Sequence, residues 1–217
     1  MAAKGPIGIA LVFTGRVIIP LLTLSATYLA AYVLRGEPIT ILDNQAYFGQ
    51  QGLYPSAWLS YGHLALMLGF FAVMLTNRMF GPSWALLQVV LAWLAGCGIY
   101  LFAMPWLNQT FHLNVTLPGR SVFAAFLSGL GAAHVLGILV FDSMRGPAWW
   151  RAPLLSGIIS ALILCGIYWG VLRAPAGAWI SRLSLDVALK VAVAFLLLAP
   201  YALVRPLAKP RDGFGGY

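Results

Sequence analysis

The chain has 217 residues, of which 61% are hydrophobic and 8% charged, with a formal net charge of +8. A soluble domain carries about 25% charged residues, so this composition, with a mean hydropathy of +0.88, excludes one. The apolar residues fall in several stretches of spanning length, which excludes a signal peptide followed by a soluble body. The Lys and Arg residues are dispersed at the ends of those stretches, which excludes a nucleic-acid-binding face.

A helix that crosses a bilayer needs about 20 mostly apolar residues. Six segments qualify: 9–34, 59–76, 84–104, 121–141, 153–172 and 185–204. The first contains Arg16 and Pro20, so its hydrocarbon span is expected to begin near Val17, after a short interfacial turn. The expected architecture is an all-α integral membrane protein. It has a single six-helix domain over residues 1–208 and a tail over 209–217.

The connecting segments alternate in basic content. One side collects Lys4, Arg16, Arg78, Arg145, Arg151, Arg205, Lys209 and Arg211; the other has Arg35, Arg120, Arg173 and Arg182. The side richer in Lys and Arg faces the cytoplasm, which places both termini inside, as an even number of crossings requires. The expected location is a bacterial inner membrane. Most tryptophans, among them Trp58, Trp84, Trp106, Trp149, Trp150, Trp169 and Trp179, fall near segment ends, where the indole N–H meets water. The polar stretch 36–58 reads as an outer loop.

Small residues repeat every four positions: Ala125, Gly129, Ala133 and Gly137 on the fourth segment, Gly157, Ala161 and Cys165 on the fifth. Such faces let helices approach closely where no hydrophobic effect drives them together. The fourth-segment face is expected inside the bundle and the fifth-segment face at a contact with a partner. Cys97 and Cys165 read as small packing residues.

Ionisable groups inside a membrane cost several kcal/mol and need a reason. Asp186 and Lys190, four apart on the last segment, lie on one helical face and neutralise each other. His134 sits on the small-residue fourth segment, and His63 near Tyr61 one turn into the second. Asp142 is placed to pair with Arg145 or to cap the turn, and Arg78 ends the second segment. No hydrolytic triad, phosphate loop, metal cluster or pair of haem-ligating histidines is visible, so neither an enzyme nor a cofactor is expected.

Four stretches in order give a resemblance. They are Leu75-Thr76-Asn77-Arg78-Met79-Phe80-Gly81; Arg120 with Val140-Phe141-Asp142-Ser143-Met144-Arg145; Trp149-Trp150-Arg151-Ala152-Pro153; and Asp186-Val187-Ala188-Leu189-Lys190-Val191 with Pro200-Tyr201. Over roughly residues 61–207 the chain resembles the queuosine-precursor transporter family, also called vitamin-uptake-transporter-like. The resemblance implies a six-helix importer of a 7-deazaguanine base, with aromatic faces stacking on the ring and polar side chains bonding its edges. Asp186, Lys190, Arg120, Arg78 and His134 are the expected site residues. Family positions that carry an acid, an Asn, an Asp and a further Asn are here Met74, Ala161, Leu164 and Thr27. A site built on hydrogen bonds loses discrimination when partners vanish. Two readings therefore stand: a transporter of a purine-like or altered small molecule, or a transport-inactive accessory subunit of a respiratory or photosynthetic complex. In the second, the Gly-rich tail with Phe214 and Tyr217 suits a docking peptide.

The topology is tested by cysteine labelling in intact cells. A cysteine at position 43 is expected to react with an impermeant reagent from outside, and one at position 211 only after the membrane is opened.

Overall fold

Inside hydrocarbon every backbone N–H and C=O must find a partner, and a helix supplies these within one segment. The computed structural model describes residues 14–43, 54–111, 119–172 and 179–210. It contains six helices long and apolar enough to cross a membrane. They are α1 (Thr14–Gly36), α2 (Tyr61–Phe80), α3 (Pro82–Thr110), α4 (Arg120–Ser143), α5 (Arg151–Val171) and α6 (Trp179–Val204). Each expected segment overlaps one of them, and residues 9–13 of the first lie outside the described residues. The outer-loop residues 44–53 and the tail residues 211–217 lie outside the described residues, as does Arg173.

Prolines explain where the helices depart from regular geometry. A proline within a helix removes one hydrogen bond, and its ring presses on the carbonyl four residues earlier. Before Pro20 the chain makes a π turn over Thr14–Ile18, and before Pro105 another over Ile99–Ala103. The interfacial turn expected ahead of Val17 is thus a widened turn of α1. At Pro200, α6 breaks at Leu197 into Trp179–Leu196 and Leu198–Val204. Pro82 does no such damage, because it occupies the first turn of α3, where its N–H would be unpaired anyway. Between α2 and α3, Gly81 has φ 86°, a left-handed conformation that suits glycine.

The helices alternate in direction, which gives the bundle two distinct ends. Gln88 Nε2 donates to the Pro20 carbonyl at 2.7 Å, and Asn77 Nδ2 to the Ile138 carbonyl at 3.1 Å. These bonds gather the start of α1, the end of α2, the start of α3 and the end of α4. The opposite end joins α1 to the start of α2: Pro38 pairs with Ser60, with Ile39 N donating to Leu59 O at 3.2 Å and Tyr61 N to Glu37 O at 3.0 Å. In α2, 61% of the apolar window is buried, against 17% in α1 and in α6. α2 is therefore the central strut, and the flanking helices present most of their apolar surface outward.

The small-residue faces seat the helices. A Cβ on Gly129 would stand 3.2 Å from the Leu164 carbonyl of α5, so the two backbones are nearly in contact there. Ser160 and Ser156 of α5 donate their hydroxyls to the Ala133 and Gly137 carbonyls of α4, at 3.0 and 2.7 Å. The fourth-segment face is internal, as expected. The fifth-segment expectation is corrected. Ala161 is fully buried, Cys165 nearly so, and a Cβ on Gly157 would meet Ala194 of α6 at 3.1 Å. That face is spent on α6 within the chain because α5 lies between two helices and needs small residues toward both.

The tightest approach is at Gly62, where a Cβ would collide with the Ala31 carbonyl and stand 2.7 Å from Arg35 N. Those neighbours are backbone and cannot swing away. Gly62→Ala is expected to lower stability by about 1–3 kcal/mol, read as thermal unfolding in detergent. Gly96→Ala, with open space around the added methyl, is expected not to lower the midpoint.

Candidate functional site

The i,i+4 spacing on α6 brings Asp186 and Lys190 together as a buried ion pair, each with 1% of its surface exposed. Lys190 Nζ donates to Asp186 Oδ1. The second carboxylate oxygen accepts from Trp169 Nε1 at 3.0 Å and from Cys165 Sγ at 3.3 Å. Both donors come from α5. Their positions continue the repeat Gly157, Ala161, Cys165, Trp169, so the face that packs on α6 also carries the groups that bind its carboxylate. A lone carboxylate or ammonium at this depth would cost several kcal/mol; here the two charges and three donors satisfy the site.

Aromatic rings roof the pair. Trp58 meets Trp169 edge-on at 5.5 Å, and Tyr168 meets Trp169 edge-on at 5.2 Å. The Arg182 guanidinium lies over the Trp58 ring at 6.0 Å. Trp58 Nε1 is itself buried without a hydrogen-bond partner among the described residues. His63 flanks this aromatic group, its ring 6.4 Å from that of Tyr168. The Ser60 backbone N–H donates to His63 Nδ1 at 3.2 Å. That bond makes Nδ1 the acceptor and leaves the proton of a neutral ring on Nε2. It also closes the first turn of α2, so one histidine caps a helix and borders the site.

His134 belongs to a different place. Its Nδ1 faces the Leu130 carbonyl at 2.8 Å, and a carbonyl only accepts, so Nδ1 carries a proton. In a neutral ring Nε2 then accepts from the Tyr28 hydroxyl, 3.2 Å away. Phe70 stacks on the imidazole at 4.4 Å. Between His134 and Asn77 lies a cavity of about 10 Å³, lined also by Ser156 and Ser160. A second cavity of about 10 Å³ lies among Met67, Met74, Gly157 and Tyr201. Each has room for about one water; neither holds a purine-sized ring.

The five expected site residues thus divide. Asp186 and Lys190 form one centre, and His134 lies in a separate polar pocket. Arg120 is exposed at the start of α4. Arg78 works at the opposite end of the bundle from the ion pair, where its Nε donates to the Ala208 carbonyl at 3.0 Å. There Arg145 pairs with Asp142 at 2.8 Å and donates to the Asn77 side-chain oxygen at 2.9 Å and to the Asn77 carbonyl at 2.7 Å. Trp149 stacks on Tyr201 at the same end. The positions where the resembled family is polar are apolar here: Met74, Ala161 and Leu164 are buried in the core. Thr27 bonds only its own helix, at the Leu24 carbonyl.

Sequence reasoning placed Trp169 at an interface and Cys165 among the packing residues; both bond Asp186. The signal that finds them is the four-residue repeat on α5, carried one step further. Among the described residues, no group of three His, Cys, Asp or Glu side chains is placed to hold a metal ion. No family model, curated protein or solved structure matches the chain.

Lys190→Met leaves Asp186 buried without its counter-charge and is expected to cost roughly 3–5 kcal/mol. The double variant Lys190→Met, Asp186→Leu removes both charges and is expected to recover most of that loss in thermal unfolding.

Proposed function

We propose that the chain is a membrane transporter for a small, flat, hydrogen-bonding molecule, described here in a closed state, with the Asp186–Lys190 pair as the polar floor of its site. The observation that carries this reading is a buried carboxylate and ammonium roofed by Trp58, Trp169 and Tyr168. Such a pair offers a donor and an acceptor side by side, and the rings offer faces for stacking. A purely structural pair needs neither a tryptophan whose N–H is buried without a partner among the described residues nor an adjacent histidine. The inward packing of both small-residue faces also favours a self-contained bundle. By the resemblance, a purine-like 7-deazaguanine base is the first substrate to test, in a bacterial inner membrane with both termini cytoplasmic. Arg78 and Arg120 are then anchors of the two ends rather than substrate ligands.

The alternative, an accessory subunit of a larger membrane complex, is favoured by one observation. The cavities beside His134 and beside Tyr201 each hold about 10 Å³, so neither accommodates a base without movement.

Uptake of a labelled 7-deazaguanine base into cells lacking their own importer separates the readings. The wild-type chain is expected to support uptake. The charge-free double variant is expected to reach the membrane folded and to lose uptake by at least about tenfold, the loss of one charge-assisted hydrogen bond. Uptake by the double variant equal to wild type removes the pair from the site. Absence of uptake by the wild type, with comigration in a large complex, supports the accessory reading.

A further inference from the structure

We propose that Arg16, at the groove between α1 and the start of α3, binds the phosphodiester of an anionic phospholipid. This site lies at the bundle end away from the Asp186–Lys190 pair and is independent of what the chain transports.

Arg16 sits in the π turn that precedes Pro20, in the first turn of a membrane-spanning helix. Its guanidinium lies 5.7 Å from the Trp84 ring centroid, and its Nε is buried with no hydrogen-bond partner among the described residues. A guanidinium donates five N–H bonds and needs acceptors; an aromatic face supplies none in its plane. Two other arginines placed at this end are differently served. Arg145 has Asp142 and Asn77, and Arg78 has the Ala208 carbonyl. Asp142 is the one carboxylate among the described residues at this end, and Arg145 occupies it.

The same groove supplies a second attraction for an anion. The first intrahelical bond of α3 runs from Ala85 N to Gly81 O at 3.2 Å. The N–H groups of Ser83 and Trp84 therefore precede it, at the positive end of the helix dipole. Ser83 is exposed and Trp84 half-buried. Position chooses the occupant. The first turn of a span lies at headgroup depth, where phosphodiesters are the abundant anions. A guanidinium matches two phosphate oxygens at once.

The test is native mass spectrometry of the full chain purified in mild detergent with its own membrane lipids. Wild-type protein is expected to retain phosphatidylglycerol or cardiolipin, and Arg16→Gln to lower that occupancy about fivefold, the value of one cation near an anionic surface. Arg120→Gln, at the other end, is expected to retain wild-type occupancy. A second measurement covers a variant that fails to fold: the wild-type unfolding midpoint is expected to rise with phosphatidylglycerol and not with phosphatidylcholine or inorganic phosphate. Equal lipid retention by wild type and Arg16→Gln overturns the proposal. So does a midpoint raised equally by inorganic phosphate, which would assign a free anion. Wild-type protein that carries no anionic lipid, the result expected if Asp212 of the tail neutralises Arg16, overturns it too.

Discussion

The close approach of α4 and α5 is the constraint on which the rest of the bundle depends. Lipid tails are as apolar as leucine, so burying leucine against leucine gains little inside a membrane. What holds these helices is contact between backbones at Gly129 and hydrogen bonds from Ser156 and Ser160 to carbonyls across the seam. The other edge of α5 meets α6 by a related device, with Gly157 against Ala194 and Trp169 and Cys165 on Asp186. α5 is thus fixed on both sides by short contacts, and the ion pair takes its geometry from that fixation. A bulkier α5 would move Trp169 and Cys165 away from the carboxylate.

The two ends of the bundle are closed by different chemistry. At one end arginines bind carbonyls and an amide: Arg145 on Asn77, Arg78 on Ala208. These bonds tie α2 to the segments that follow α4 and α6. At the other end aromatic rings close the site, with Trp58 on Trp169 and Arg182 on Trp58. Ring contacts of this kind are worth about 0.5–1.5 kcal/mol each. A buried charged hydrogen bond is worth more.

Much of the fold was legible because hydrocarbon imposes a strong code. Segment length, proline position and the small-residue repeats have few alternative meanings in a membrane, and all six helices and the α4 face followed from them. The orientation of the α5 face was not legible. A four-residue repeat reports that something comes close, not what. Deciding between α6 and a foreign helix required knowing that Gly157 stands against Ala194. The site was legible in part for a similar reason. Asp186 and Lys190 announce themselves as charges where charges are costly, whereas Trp169 looks like any tryptophan near a helix end. Its bond to Asp186 depends on the register of α5 against α6, which no single-helix pattern contains. Arg78 and Arg120 were grouped with the pair by family likeness; linear order along alternating helices put them at separate places in the bundle.

In the transporter reading, the apolar residues at 74, 161 and 164 bear on where a ligand can be bound. Met74, Ala161 and Leu164 all face the buried interior, so none is a neutral surface change. Polar side chains there would need partners, and a ligand is one way to supply them. A thioether, a methyl and an isobutyl group satisfy those positions by packing, and the two cavities beside Met74 are each water-sized. In the transporter reading, charged recognition then falls to the Asp186 end of α6 and the aromatic groups around it, with the His134–Asn77 pocket as a separate neutral polar place. A ligand that reaches Asp186 must displace Trp169 or Cys165 from the carboxylate. It must therefore bring a hydrogen-bond donor of its own, since a buried carboxylate oxygen left unpaired costs more than a neutral contact returns.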